Sequence, residues 1–479
     1  LFGKNNKINQ IIMPIKNNYD LAVIGAGSAG FSAAITAAEQ GAKVALIGYG
    51  TIGGTCVNVG CVPSKTMIRA AETLHHARTA HRFNGIEASA SVSDWSSLMA
   101  DKDQLVKDLR NAKYIDVLSS YDSVTYLEGK AVLAEGGVMV DGEFIKAKKT
   151  IITTGSHATT PPIEGIENVP YLTSTTALEL DHAPASMIVI GGGVIGCELG
   201  QMFARLGTKV TILCRSRLLQ SGEPEVSEAL EAALVEEGIN IQCGSVYKSI
   251  SHNSEICLAY EKDGTKNEIR AEQVLIATGR RANTDTLGAD AVGVELLPNA
   301  GIKIDDRMRT TRPGVYAAGD VTGKDMFVYM AAYGAKVASE NALNGDGRQY
   351  DNSAMPDVVF TDPQAATVGL TEAEAKAAGH SVITATIGLE HVPRALAARD
   401  TRGLIKLVAD AKTRALLGVH ILAPEGADSI QTAAIAIKAG MTVDDLGSMI
   451  FPYLTTVEGL KLAAQTFDKD VSKLSCCAG

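Results

Sequence analysis

The chain has 479 residues, which at ~150 per domain predicts about three domains. It holds 47 Gly against 14 Pro, which suits an α/β protein with many strand-to-helix turns and excludes a disordered chain. Its net charge of −10 argues against a nucleic-acid binder and against a polybasic membrane anchor.

No apolar run reaches the ~18 residues of a membrane span, and the first residues lack the apolar core of a signal peptide. A cytoplasmic protein is therefore expected. Eight Cys are too few for a secreted disulfide scaffold, and their grouping points to redox or metal chemistry.

Residues 19–53 read as a strand, a glycine turn, a helix and a second strand. The apolar run Leu21–Ile24 enters Gly25-Ala26-Gly27-Ser28-Ala29-Gly30, a G-x-G-x-x-G fingerprint. Such glycines permit a tight turn and aim a helix N-terminus at a pyrophosphate. A second copy, Gly191-Gly192-Gly193-Val194-Ile195-Gly196, follows the run Met187–Ile190. Each copy is flanked by strand and helix, so two dinucleotide sites are predicted.

The end of the second strand distinguishes the sites. Residues 211–217 offer no acid to a ribose 2′-hydroxyl but contain Arg215 and Arg217, which suit a 2′-phosphate and favour NADPH. The first unit is then expected to hold FAD. Gly48 stands where an acid for the adenosine ribose is expected, so that contact is missing or made elsewhere.

Next comes Gly53-Gly54-Thr55-Cys56-Val57-Asn58-Val59-Gly60-Cys61-Val62-Pro63-Ser64-Lys65. Two Cys five apart at a helix start are a redox-couple candidate, because a helix N-terminus favours a thiolate. On a regular helix that spacing points the two sulfurs apart, so a local distortion is predicted, which Gly60 and Pro63 permit. Helical pattern is expected over about 64–118, β-rich pattern over about 122–160, and a linker near Gly345–Arg348. Strands are expected near 357–369, 382–389 and 403–423, with helices near 371–378 and 427–439.

The run from Gly53 to Lys65 resembles the active-site signature of the pyridine nucleotide–disulfide oxidoreductases. The resemblance spans residues 19–479 and includes both fingerprints and Ala317-x-Gly319-Asp320. It implies two Rossmann-like α/β domains and a C-terminal α+β dimerisation domain. The expected division is 1–160 and 286–350 for FAD, 161–285 for NADPH, and 356–479 for a homodimer interface. It further implies Cys61 as the thiolate against the flavin, Cys56 as the interchange thiol, and Lys65 paired with Glu198. The implied cofactor-binding set adds Gly25, Gly27, Gly30, Gly54, Thr55, Thr154, Gly155 and Asp320 for the flavin. Gly191, Gly193, Gly196 and Gly279 join the two arginines.

Disulfide reductases of this family carry His-Pro-Thr-x-x-Glu near the C-terminus, with the His as base. Here the run is Tyr453-Leu454-Thr455-Thr456-Val457-Glu458, and Tyr453 replaces the base. The chain ends Ser475-Cys476-Cys477-Ala478-Gly479. That vicinal pair reads as an inert tail, an electron relay, or a soft-metal ligand pair, the last favoured by thiolate chemistry. Loss of the His together with this tail resembles the mercury-reducing branch of the family. That resemblance implies NADPH-dependent reduction of a mercury(II) thiol complex, with Cys476 and Cys477 handing the metal to Cys56 and Cys61 of the other subunit. Tyr453 and Tyr114 would line the metal path. A reductase of thioredoxin type, using the tail as a relay, is the alternative. No Cys precedes Cys56, so a metal-trapping C-x-x-C unit is not expected within these residues. Cys197, Cys214, Cys243 and Cys257 are expected to be small buried hydrophobes, and His75, His76, His391 and His420 to be surface or core residues.

Overall fold

The computed structural model describes residues 18–470. The Cys476–Cys477 pair lies outside them. Two compact units are formed: one from the residues up to Thr66 with Ser96–Thr159 and Gly279–Asp351, the other from Met67–Trp95, Thr160–Thr278 and the residues from Asn352 onward.

In the first unit the strands Val124–Glu128, Val44–Gly48, Tyr19–Ile24, Glu143–Ile152 and Val315–Ala317 lie side by side and parallel. An antiparallel ribbon, Ala131–Ala134 and Gly137–Val140, pairs with the start of the long strand Glu143–Ile152. Side chains alternate across a sheet. Leu21, Val23, Val44 and Leu46 pack with Ala33, Ala37 and Ala338 of two helices, Ser28–Glu39 and Val328–Asn344. Ala22, Ile24, Ala45 and Ile47 pack with Leu133 and Val138 of the ribbon and with Ile145 of the long strand. Both faces are covered, which is why these strands read as unbroken apolar runs. The Ala-rich helices approach closely enough for Ser339 Oγ to donate to the Ala33 carbonyl at 3.0 Å.

The second unit contains a parallel sheet in the order Asn240–Gln242, Lys209–Leu213, Ser186–Ile190, Gln273–Ile276. A three-stranded antiparallel sheet, Val246–His252, Ile256–Lys262 and Thr265–Ala271, packs on it through Ile250, Ile256 and Leu258. The chain then forms a five-stranded antiparallel sheet from Pro356–Val359, Gln364–Gly369, Val382–Gly388, Leu404–Asp410 and Leu416–Ala423. One face packs Ile405, Leu407, Val419 and Ile421 against the helix Gly426–Lys438 and against Leu460 and Ala463. Strands and helices here follow the predicted pattern. Lys406 is buried at 2% exposure, and its ammonium bonds Glu223 at 2.9 Å, Glu225 at 2.8 Å and Glu372 at 3.0 Å.

Candidate active site

The glycines of the two fingerprints divide into two kinds. A Cβ on Gly25 would lie 2.3 Å from the Thr153 carbonyl oxygen, and one on Gly30 would lie 1.7 Å from that of Gly25. A Cβ on Gly191 would lie 2.2 Å from the Ala277 oxygen, and one on Gly196 would lie 1.9 Å from that of Gly191. These four are glycine because protein backbone fills the space. A Cβ on Gly27 would meet nothing nearer than Gly54 Cα at 3.5 Å, and one on Gly193 meets nothing within 4 Å. The middle glycines thus keep an open approach to the helix starts at Ser28 and Val194. Neither helix has a side-chain cap or an acidic residue in its first turn. Unsatisfied N–H groups and the positive helix end suit a pyrophosphate, so both turns fit a dinucleotide.

The redox segment is built onto the first turn. Gly53 forms a parallel bridge with Gly27 and donates its N–H to the Ala26 carbonyl at 2.9 Å. Gly53 has φ +98° and Gly54 φ +67°, and a Cβ on Gly54 would lie 2.6 Å from Gly27 Cα. The Gly-Gly pair therefore seats the helix Gly54–Val59, carrying Thr55 and Cys56, directly on the fingerprint. Gly60 interrupts the helix at φ −124°, ψ −109°, and Cys61 starts a new one, Cys61–Arg78. This is the distortion the Cys spacing required. The two thiols share a hydrogen bond, and this bond, followed by burial, pushes the Cys56 thiol up; the Lys65 charge, one turn along from Cys61, opposes the rise. Cys56 thus keeps the proton. Cys61, at the positive end of an 18-residue helix, is the sulfur placed to carry charge. Asn58 braces the segment by donating to the Ile52 and Gly54 carbonyls at 2.9 and 2.8 Å, and Arg110 holds Asn58 Oδ1 at 3.0 Å.

Tyr114 lies in a π-helical turn, Asn111–Ile115, a local irregularity common at functional sites. Its hydroxyl is 3.0 Å from Ser28 Oγ, its ring stands edge-on to Phe31 at 4.8 Å, and Cδ2 is 3.3 Å from the place of a Cβ on Gly53. Burial raises its phenol, and the charges of Cys56 and Cys61 add to the rise. Tyr114 therefore stands beside the thiol pair.

Thr154 and Gly155 follow the long central strand. Thr154 donates to the Asn283 carbonyl at 2.7 Å, and Asn283 Nδ2 returns a bond to the Thr154 carbonyl at 2.8 Å. Asp320 follows the strand Val315–Ala317; Ser156 Oγ donates to its Oδ2 at 2.6 Å, and Arg280 Nε donates to Ser156 Oγ at 2.7 Å. Gly279 gives its carbonyl to the Thr159 N–H at 3.0 Å. Sequence reasoning missed Ser156, Arg280 and Asn283. Their only signal is position just beyond strand ends.

In the second unit Arg215 is exposed after the strand Lys209–Leu213. Arg217 Nη2 donates to the Gln220 and Gly222 carbonyls at 2.7 and 2.5 Å, whereas its Nε is buried without a partner. Arg217 thus shapes its own loop. Glu198 is buried on the helix Val194–Arg205 and accepts the Phe360 N–H at 2.8 Å. Cys197 and Cys214 are buried as expected, but Cys243 and Cys257 are only half-buried. The expectation of four inert apolar cysteines is corrected further by a contact of 3.0 Å between the Cys214 and Cys243 sulfurs.

Residues 19–336 match the pattern described as pyridine nucleotide-disulphide oxidoreductase, and residues 355–464 match the dimerisation domain of that family. The chain belongs to the pyridine nucleotide-disulphide oxidoreductase family. It is 47% identical over 477 residues to a mercuric reductase of Lysinibacillus sphaericus, covering 99% of this chain and 87% of that protein. It is 46% identical to a mercuric reductase of Streptomyces lividans, covering 96% and 98%. Among solved structures, the copper(II) complex of the HOCl-induced flavoprotein disulfide reductase RclA of Escherichia coli matches with a TM-score of 0.83 at 28% identity, covering 94% of this chain and 100% of that one. As a member of the pyridine nucleotide-disulphide oxidoreductases the chain is an oxidoreductase that draws on FAD and NADPH, and it pairs as a homodimer. No described helix is long and apolar enough to cross a membrane.

Two departures expected from the sequence have a structural explanation. A Cβ on Gly48 would lie 2.6 Å from Tyr126 Oη and 2.8 Å from Ala26 Cβ. The Tyr126 hydroxyl fills the space beside the strand end, and burial followed by the Glu128 charge raises its phenol, so it stays protonated. Tyr126 thus occupies the space beside the strand end where an acid was expected, and nothing near Gly48 in sequence signalled it. Tyr453 sits half-exposed in a turn with Leu454 at φ +61°, and Glu458 accepts the Leu454 N–H at 3.2 Å instead of orienting a base. The four singled-out histidines all fall in the second unit. His75 is buried near Glu237 at 3.7 Å and lowered to about 4 by burial and Arg205. His420 is buried and lowered by burial, with Nε2 donating to the Leu370 carbonyl at 3.1 Å.

Proposed function

We propose that this chain reduces mercury(II), presented as a thiol complex, to elemental mercury with electrons from NADPH. The observation that carries the reading is the Cys56–Cys61 pair seated on the first fingerprint, with the Tyr114 hydroxyl beside it and Tyr453 in place of a base. Two thiolates in one pocket are the donor set for a soft cation. Cys56 gives up its proton to a leaving thiol as the metal exchanges onto the pair, and Cys61 supplies the second sulfur. Lys65 holds positive charge against the thiolates. The Tyr114 phenol, kept neutral, presents a hydroxyl to the metal path without adding a competing charge. Gly27, Thr154, Gly155 and Asp320 would hold FAD, which when bound would supply two-electron relay from NADPH to the metal. NADPH would be held at the helix start beside Gly193 and by the exposed Arg215. In the homodimer, Tyr453 and the Cys476–Cys477 pair of one subunit serve the thiol pair of the other, with that tail pair handing the metal inward.

The test is anaerobic NADPH oxidation by the purified protein with and without mercury(II) in excess thiol, with elemental mercury trapped. Mercury-dependent oxidation with matching metal release is expected, and Cys476→Ala with Cys477→Ala is expected to slow it when free thiol is scarce. NADPH turnover on thioredoxin-like or small disulfides in the absence of mercury-dependent turnover would overturn the reading.

A further inference from the structure

The second fingerprint has a thiol pair of its own. Strand register pairs Asn240 with Thr211, Ile241 with Ile212 and Gln242 with Leu213, so Cys243 and Cys214 are the next cross-strand neighbours. The Cys214 N–H donates to the Gln242 carbonyl at 3.1 Å, which carries the pairing one residue past the ladder. Adjacent strands stand ~4.8 Å apart, inside the Cα separation of ~4.4–6.8 Å that a disulfide tolerates. The sulfurs are 3.0 Å apart and need ~1 Å of approach to bond. Cys214 is buried, and Cys243 is half-exposed with Glu231 Oε2 3.5 Å from its sulfur.

The pair also touches the nucleotide turn. A Cβ on Gly192 would lie 2.9 Å from Cys214 Cβ and 3.2 Å from its sulfur. The Gly192 carbonyl in turn accepts the Leu219 N–H at 2.8 Å, which closes the loop carrying Arg215 and Arg217. Any displacement of Cys214 is passed to the glycine turn on one side and to Arg215, its chain neighbour, on the other.

We propose that Cys214 and Cys243 form a second oxidisable dithiol, which a low-molecular-weight disulfide closes into a cystine, and that closure weakens the neighbouring hold on NADPH. One sulfur of the pair, as thiolate, attacks the oxidant disulfide and expels one thiolate. The other loses its proton and attacks the resulting mixed disulfide, expelling the second thiolate. Two protein thiols are oxidised, one external disulfide is reduced to two thiols, and the two protons leave with them. The hydrogen bond from Cys243 favours the thiolate of Cys214, against its burial. The effect on NADPH rests on placing that cofactor at the second fingerprint.

The test uses the full-length, flavin-loaded protein treated with oxidised glutathione, followed by alkylation of the remaining thiols and digestion without reductant. The expected product is a peptide holding Cys214 joined to one holding Cys243, together with a roughly ten-fold weaker NADP+ affinity by calorimetry, since a shift of ~1 Å suffices to spoil positioning. In Cys243→Ser the Cys56–Cys61 pair still oxidises but NADP+ affinity is expected to hold. Alkylation of both Cys214 and Cys243 after Cys56–Cys61 has closed would overturn the proposal. So would a joined peptide with unchanged NADP+ affinity, or protection of the pair by mercury(II) but not by the disulfide. NADP+ titration of the reduced protein tests the nucleotide placement alone, and the peptide map decides the dithiol whatever that titration gives.

Discussion

Asp357 carries a stability cost that replacement by Asn should relieve, and only above a defined pH. It lies in the edge strand Pro356–Val359, mostly buried, and its Oδ1 has no hydrogen-bond partner. Burial, followed by the nearby negative charge of Glu198, raises its carboxyl from 3.8 to about 6. A carboxyl whose folded value lies above its unfolded value releases its proton first in the unfolded chain. Its full contribution to stability is present below 3.8 and is lost as pH climbs through about 6. At ~1.4 kcal/mol per pH unit of that gap, the charged side chain costs the folded protein about 3 kcal/mol at neutral pH. Asp357→Asn should therefore raise stability by ~3 kcal/mol near pH 7.5 and by only ~1 kcal/mol near pH 4.5. The assay is the urea midpoint of the flavin-loaded protein at both pH values, with protein concentration fixed and the slope checked for constancy. An equal gain at both values would mean that the amide improves packing and that ionisation is not the cause. No gain near pH 7.5 would mean that Asp357 is solvated when charged, and the argument from its orphaned oxygen would fail.

Gly48→Glu, which restores the acid expected at the strand end, should loosen FAD, because its Cβ meets Tyr126 Oη at 2.6 Å. Overpacking of this kind costs ~1–3 kcal/mol, read as earlier flavin release in a thermal ramp, and a companion Tyr126→Ala should recover part of it. Lys406→Met should destabilise by ~3–5 kcal/mol, because Glu223 is left buried beside Glu225 and Glu372 without its cation; chemical denaturation measures it. Arg215→Ser should raise the KM for NADPH about ten-fold while leaving that for NADH within about two-fold, since it removes only a charge-assisted contact to the 2′-phosphate. Tyr453→His should gain turnover on a small disulfide, monitored by NADPH consumption, and absence of any gain would refute the account of the missing base.

What could be read from the sequence divides by the distance over which the physical reason acts. The outer fingerprint glycines Gly25, Gly30, Gly191 and Gly196, and Gly54, are dictated by clashes with backbone, while Gly27 and Gly193 keep the helix starts open, so the motif states its own geometry. The break at Gly60 was likewise forced by the five-residue Cys spacing, and the unbroken apolar strands followed from a sheet covered on both faces. The partners of those elements obey no such local rule. Tyr126 answers Gly48 across a strand pair, Ser156 and Arg280 orient Asp320 from segments well over 30 residues away, and no local pattern announces either. Cys214 and Cys243 show the limit most clearly. Each one taken alone is a small apolar residue after a strand, and that reading was the reasonable one. Only the register of two parallel strands, set by Thr211 against Asn240, turns the two residues into a pair. Function that depends on register is therefore invisible to motif reading, and a thiol pair of that kind is found by following the ladder past its last hydrogen bond.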